Sequence, residues 1–152
     1  MLVIKAFNIF NKKFGYKYKL IICGKSFRSS EKILNKINQT RNCYYLGVIS
    51  KNSLIHFYKK SIATISPALY ESSSLTILEA LVCGSKIIAS NTEPNLERKK
   101  FNVLFFKKNS YKSLVNQFTK SLVNSKSRIN KKKSIKKFDW KNISKKWLKV
   151  AI

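Results

Sequence analysis

The chain has 152 residues, of which 32 are Lys or Arg and six are Asp or Glu, giving a formal net charge of +26, and 44% are hydrophobic. That length suffices for one domain that buries about 70% of its unfolded surface. No apolar run is long enough to span a membrane, Met1 leads into an amphipathic helix instead of a signal peptide, and the odd set of Cys23, Cys43 and Cys83 has neither disulfide nor metal-ligand spacing.

In chain order, Val3, Phe7, Phe10 and Phe14 recur at helical spacing, with Ile4 and Ala6 broadening the apolar face, so the chain opens on an amphipathic helix. Strand-like runs follow near 19 to 23, 43 to 46, 62 to 66, 86 to 90 and 103 to 106. They alternate with helical stretches near 30 to 38, 51 to 60, 75 to 83 and 111 to 123. Such alternation predicts a doubly wound, Rossmann-like α/β fold of three layers, α/β/α, around a mostly parallel sheet of five strands. Its core spans residues 2 to 124. A Lys-rich linker over 125 to 137 and a terminal helix over 140 to 150, opened by Phe138-Asp139-Trp140, complete a single domain.

The chemistry concentrates in residues 62 to 90. Ile62-Ala63-Thr64-Ile65-Ser66 is a short apolar run with β-branched residues, and Pro67 stops it by removing a backbone donor and holding Ser66 extended. Ser72 to Ser74 are good N-cap residues. Leu75, Leu78 and Val82 then recur at helical spacing, and Gly84 is placed to take a left-handed C-cap conformation. With Lys86-Ile87-Ile88-Ala89-Ser90 following as a strand, the helix is a crossover between parallel strands, and ligands of such sheets bind beyond the strand C-termini. A helix N-terminus there suits a phosphate or diphosphate. Glu71 and Glu79 flank it, and since carboxylates accept hydrogen bonds from hydroxyls but repel phosphate, they point to a ligand with hydroxyls on either side of its anion.

This segment resembles the donor-binding signature of the large glycosyl transferases group 1 family, retaining enzymes of GT-B fold that use nucleotide-sugars. The signature is a Glu, seven residues, a second Glu, then Ala and a Gly, met here by Glu71, Glu79, Ala80 and Gly84. Ser66-Pro67 and Tyr70 precede it and Ile87-Ile88-Ala89-Ser90-Asn91 follows, as in the family; Ser72-Ser73-Ser74 replaces a frequent Gly-aromatic-Gly with residues still small enough for close approach. The resemblance implies that Glu71 contacts hydroxyls of the donor sugar as the candidate catalytic residue. It implies further that the backbone at Ser73, Ser74 and Leu75 holds the diphosphate and that Glu79 binds the nucleotide ribose. The nucleobase would lie near Gly47 and Val48, in the turn after Asn42-Cys43-Tyr44-Tyr45-Leu46. No metal and no cofactor beyond this donor substrate are expected.

The resemblance runs from about residue 2 to 150, so the chain is similar to the C-terminal half of a GT-B enzyme. In the family that half begins with a strand and a loop carrying a basic pair that neutralises the diphosphate, and this chain starts just after them. In a 3-2-1-4-5-6 order the first strand is central, so its absence predicts a hole in the middle of the sheet. The expectation is a fragment, a split or truncated gene product, or one part of a two-chain enzyme. It would lack the acceptor-binding half, depend on that half or a complementing chain, and be inactive in glycosyl transfer alone.

Charge offers the alternative of a noncatalytic basic module that binds nucleic acid or an anionic membrane. Only Arg28, Arg41, Arg98 and Arg128 are Arg; a Lys-dominated excess with abundant Asn and Ile reads as coding bias, so no specific nucleic-acid partner is expected. The Lys131 to Lys133 and Lys136-Lys137 runs could add peripheral contact with the cytoplasmic membrane face, where the family often meets lipid-linked acceptors, but a solvated linker explains them as well. The cysteines read as small buried hydrophobes of a cytoplasmic protein, and His56, one turn from Lys59 and Lys60, as a surface or packing residue. Of Glu93 and Glu97, the latter is the better match to a Glu that the family keeps in a loop facing the donor.

Overall fold

Five short strands and six α-helices alternate in a computed structural model that describes residues 1–27, 30–72, 74–101 and 103–123. Ser73, the Lys-rich segment over 125 to 137 and the terminal helix expected over 140 to 150 lie outside the described residues. The order is α1 (Leu2–Lys13), β1 (Leu20–Ile22), α2 (Glu31–Asn38), β2 (Cys43–Tyr45), α3 (Lys51–Lys60), β3 (Thr64–Ser66), α4 (Leu75–Val82), β4 (Ile87–Ser90), α5 (Glu93–Leu96), a 3-10 turn (Lys99–Phe101), β5 (Val103–Phe106) and α6 (Tyr111–Val123).

Every strand pair is parallel, as helix crossovers require. The strands form two sheets, β1-β2 and β3-β4-β5, instead of one. The division falls between β1 and β3, where the sequence predicts the hole. β4 is buried along its whole length because both faces are covered. Its Ile88 joins Phe7 and Phe10 of α1 and Leu114 and Phe118 of α6 in one core, while Ile87 and Ala89 join Tyr58 of α3 and Ile77 and Ala80 of α4 in the other. Period-two alternation along one strand thus produces the three layers.

α1 is held from both ends of its apolar stripe. Phe10 meets Phe118 edge to face, with ring centroids 5.4 Å apart. The fully buried Asn11 donates to Tyr18 O at 3.0 Å and accepts from the Tyr18 amide at 2.9 Å, fixing the chain's approach to β1. The stripe is centred on Ile4, Ala6, Phe7 and Phe10, with Val3 and Phe14 only half-buried at its margins. Two further expectations are corrected. Residues 93 to 101 form α5 and the 3-10 turn instead of a plain loop, with Pro94 in the first turn where its missing donor costs nothing. Of the three cysteines only Cys43 is buried; Cys23 and Cys83 are half-buried, and all are free thiols.

Candidate functional site

The carboxyl ends of the strands carry the candidate residues. At the end of β3 the chain passes Pro67 and a 91% exposed Tyr70, reaches the half-buried Glu71, and enters α4. Ser74 is the N-cap: fully buried, its hydroxyl accepts from the Ile77 amide at 3.4 Å and lies 3.4 Å from the Ser66 hydroxyl at the end of β3. The Leu78 amide is satisfied by Ser74 O at 3.2 Å. The amides of Leu75 and Thr76 have no acceptor among the described residues, and Leu75 is 66% exposed.

Glu79 lies one turn further along α4 and is exposed. Its Oε2 accepts a hydrogen bond from the Tyr58 hydroxyl at 3.2 Å. Burial first, then the Glu79 charge and this bond, push the Tyr58 phenol up to about 12. Sequence reasoning missed Tyr58. The only signal available was its apolar-face position on α3 ahead of the signature, which says nothing about its partner.

The loop above β4 is braced from below. Ser90 is fully buried and donates to Ala68 O, and Asn95 Nδ2 donates to Ser90 O at 3.0 Å, so α5 is tied to the turn that carries Glu71. Glu97 is exposed at the C-cap of α5. At the end of β2, Gly47 has φ +65 and its carbonyl accepts from the Gly24 amide at 2.8 Å, joining the loops after β1 and β2. Val48 is 77% exposed beside it. The structure therefore collects Glu71, Ser74, Leu75 and Glu79 on one turn-and-helix unit, and puts Gly47 and Val48 on the β1-β2 side. His56 is exposed on α3, its ring against Phe57, and takes no part. Among the described residues no His, Cys, Asp and Glu cluster could hold a metal, and no helix is long and apolar enough to cross a membrane.

Residues 1–138 match the sequence profile described as Glycosyl transferases group 1. The chain belongs to that family. Its fold resembles that in a structure titled "Crystal Structure of TarM", with a TM-score of 0.72 and 19% identity over 97% of this chain and 31% of that one. This glycosyltransferase domain thus spans less than a third of that neighbour's length, and the likeness identifies it as a Rossmann-like half of a GT-B fold. No curated protein matches it in sequence.

Proposed function

We propose that this glycosyltransferase domain binds a nucleotide-diphosphate-sugar donor at the N-terminus of α4, for retaining transfer to a glycan or lipid-linked acceptor. The observation that carries the proposal is the helix start at Leu75 and Thr76, whose amides have no acceptor among the described residues, between two carboxylates, Glu71 before the helix and Glu79 within it. Amides and helix dipole stabilise the diphosphate, most of all as it leaves and its charge grows. Ser73 and Ser74 contribute the close backbone approach. Glu71 accepts from sugar hydroxyls and is the candidate catalytic residue; Glu79 accepts from ribose hydroxyls. Gly47 and Val48 border the base. Neither metal nor cofactor is part of the proposal; the amides and the helix dipole meet part of the diphosphate charge on this wall.

The opposite wall and the acceptor site belong to an acceptor-binding half or a complementing chain, so the 152-residue chain by itself is inactive in transfer. The proposed setting is cytoplasmic, peripheral to the membrane where the acceptor is lipid-linked, with no specific nucleic-acid partner.

Calorimetric titration of the chain with UDP, GDP and ADP, with and without Glu79→Ala, tests the donor site. One diphosphate should bind, and the substitution should weaken it by about tenfold or more, as expected for losing charge-assisted hydrogen bonds. Equal affinity for the variant, with binding that disappears only as salt is raised, would instead support a basic polyanion-binding module.

A further inference from the structure

Where helices cross over between parallel strands, helix ends and strand starts gather at one face. Several contacts close that face here. Phe10, near the end of α1, packs on Tyr18, ahead of β1, with ring centroids 5.1 Å apart, and on Phe118 of α6. Lys86, ahead of β4, donates from Nζ to Ser121 O at 2.6 Å. Asn42, ahead of β2, donates from Nδ2 to Tyr16 O at 2.6 Å. Ile62, ahead of β3, borders the same opening as Lys19 and Ser121.

The charges sort by face. Lys12 and Lys13 of α1, Lys36 of α2, Lys60 of α3 and Lys120 of α6 are exposed in last turns. Lys17, Lys19 and Arg41 are exposed in the connections to β1 and β2. No acidic residue lies in the last turn of α1, α2, α3 or α6, or between any of the first three and its next strand. Glu31 and Glu93 instead open α2 and α5, and Glu71 precedes α4, on the opposite face with the donor site. The helix dipole accounts for single lysines in last turns, but not for the cations in the connections or for the exclusion of acids. Two apolar side chains are exposed among these cations, Ile62 at 48% and Val123, the last residue of α6, at 81%. From Val123 the sequence runs on into Lys126, Arg128 and Lys131 to Lys133. We propose that this face docks on an anionic lipid surface, with Lys19, Lys60 and their neighbours at the headgroups and Ile62 inserted between them. It is the surface behind the peripheral setting proposed above, and it rests on that setting, not on the donor site.

The composition of the face favours lipid over nucleic acid. All its named cations but Arg41 are Lys, whose compact ammonium acts as a point charge and needs no planar partner. A single-stranded nucleic acid stacks its bases on exposed rings, but Tyr16 lies under the Arg41 guanidinium at 4.6 Å and Tyr18 packs on Phe10. A duplex would set Ile62 and Val123 against phosphates, whereas a lipid interface takes cations and apolar side chains together. The donor site lies beyond the other ends of the strands, so docking leaves it clear of the lipid. The contact is a tether, not part of the reaction.

The test is co-sedimentation of the full chain with vesicles of phosphatidylcholine alone or with about one third phosphatidylglycerol, at physiological salt. Binding should require the anionic lipid. Lys19→Glu with Lys60→Glu should weaken it at least about tenfold, whereas Lys107→Glu with Lys108→Glu, an equal charge change at exposed positions on the opposite face, should weaken it less than about threefold. If the first pair loses its helical circular dichroism, Lys19→Gln with Lys60→Gln takes its place. Ile62→Ser keeps every charge; it should weaken vesicle binding about threefold or more and leave binding to duplex DNA unchanged. Equal losses from the two charge pairs would overturn the assignment of this face while sparing the peripheral setting. No vesicle binding, or equal binding without phosphatidylglycerol, would overturn both. An Ile62→Ser without effect, with duplex DNA bound more tightly than vesicles, would overturn the lipid in favour of nucleic acid. No readout involves a nucleotide, so failure of the donor site would leave these results unchanged.

Discussion

The Tyr58 hydroxyl on α3 and Glu79 Oε2 on α4 are 3.2 Å apart, with the phenol as donor. One oxygen of the candidate ribose-binding carboxylate is therefore held by a side chain that is itself packed in the core beside Ile77 and Ala80. Replacing Tyr58 by Phe keeps that packing and removes the bond. Because Glu79 is exposed, the loss should be about 1 kcal/mol, below the usual range for a hydrogen bond to a charged group. The phenol is raised from 10.0 to about 12, so the stability it supplies is complete below about pH 10 and is lost as pH rises through 12. Urea unfolding of the native chain and Tyr58→Phe should give a gap that narrows over that window; a gap independent of pH would contradict the assignment.

α4 is apolar on nearly all sides, yet only Ile77 and Ala80 are fully buried, whereas Leu75 is 66% and Val82 64% exposed. Ile77→Ala should cost about 2 to 5 kcal/mol through transfer and cavity terms. Leu75→Ala should change stability by less than about 0.5 kcal/mol, as surface substitutions do. The pair can be compared in one set of denaturant curves, and similar losses at both positions would mean that α4 presents a different face to the core.

Gly84 ends α4 with φ +76, and a Cβ built on it meets nothing within 4 Å. The cost of Gly84→Ala is thus conformational, about 1 to 2 kcal/mol, with no steric share. Gly84→Asn should lose less, since Asn tolerates the left-handed region better. A thermal scan of the three proteins checks the order Gly, Asn, Ala.

Ser74 caps α4 and also stands in the proposed donor site, and a single substitution separates the two. Ser74→Ala removes the N-cap acceptor of the Ile77 amide and should destabilise the fold by about 1 kcal/mol. The amides of Leu75 and Thr76 belong to the backbone, so diphosphate affinity should fall by less than in Glu79→Ala once both are measured well below the melting temperature. A larger loss in Ser74→Ala would move the binding role from the backbone to this hydroxyl.

Much of the chain was legible without coordinates, and for local reasons. The predicted strand near 103 to 106 and the helix near 51 to 60 coincide with β5 and α3, because β-branched and aromatic runs and helical periodicity act within a few residues. Pro67, Ser74 and Gly84 each set a boundary through backbone geometry that neighbouring residues cannot override. Burial is what local patterns leave open. Leu75, Leu78 and Val82 keep helical spacing and do lie on α4, but spacing does not choose among several apolar faces, and it is Ile77 and Ala80 that the core takes. The segment 93 to 101 was read as a loop because α5 is too short to carry a period.

What the sequence determined by itself was the order of elements, the parallel class of sheet and the Glu71 to Glu79 spacing around a helix start. All of these are encoded in stretches of a few residues or in their succession. Only the tertiary structure decided that Tyr58 orients Glu79, that Ser66 and Ser90 brace the turn, and that β1 and β3 leave facing edges over one groove. Those relationships join residues 8 to more than 40 positions apart in the chain. No local propensity specifies such pairs; they follow from how two hydrophobic cores pack against opposite faces of the same strands.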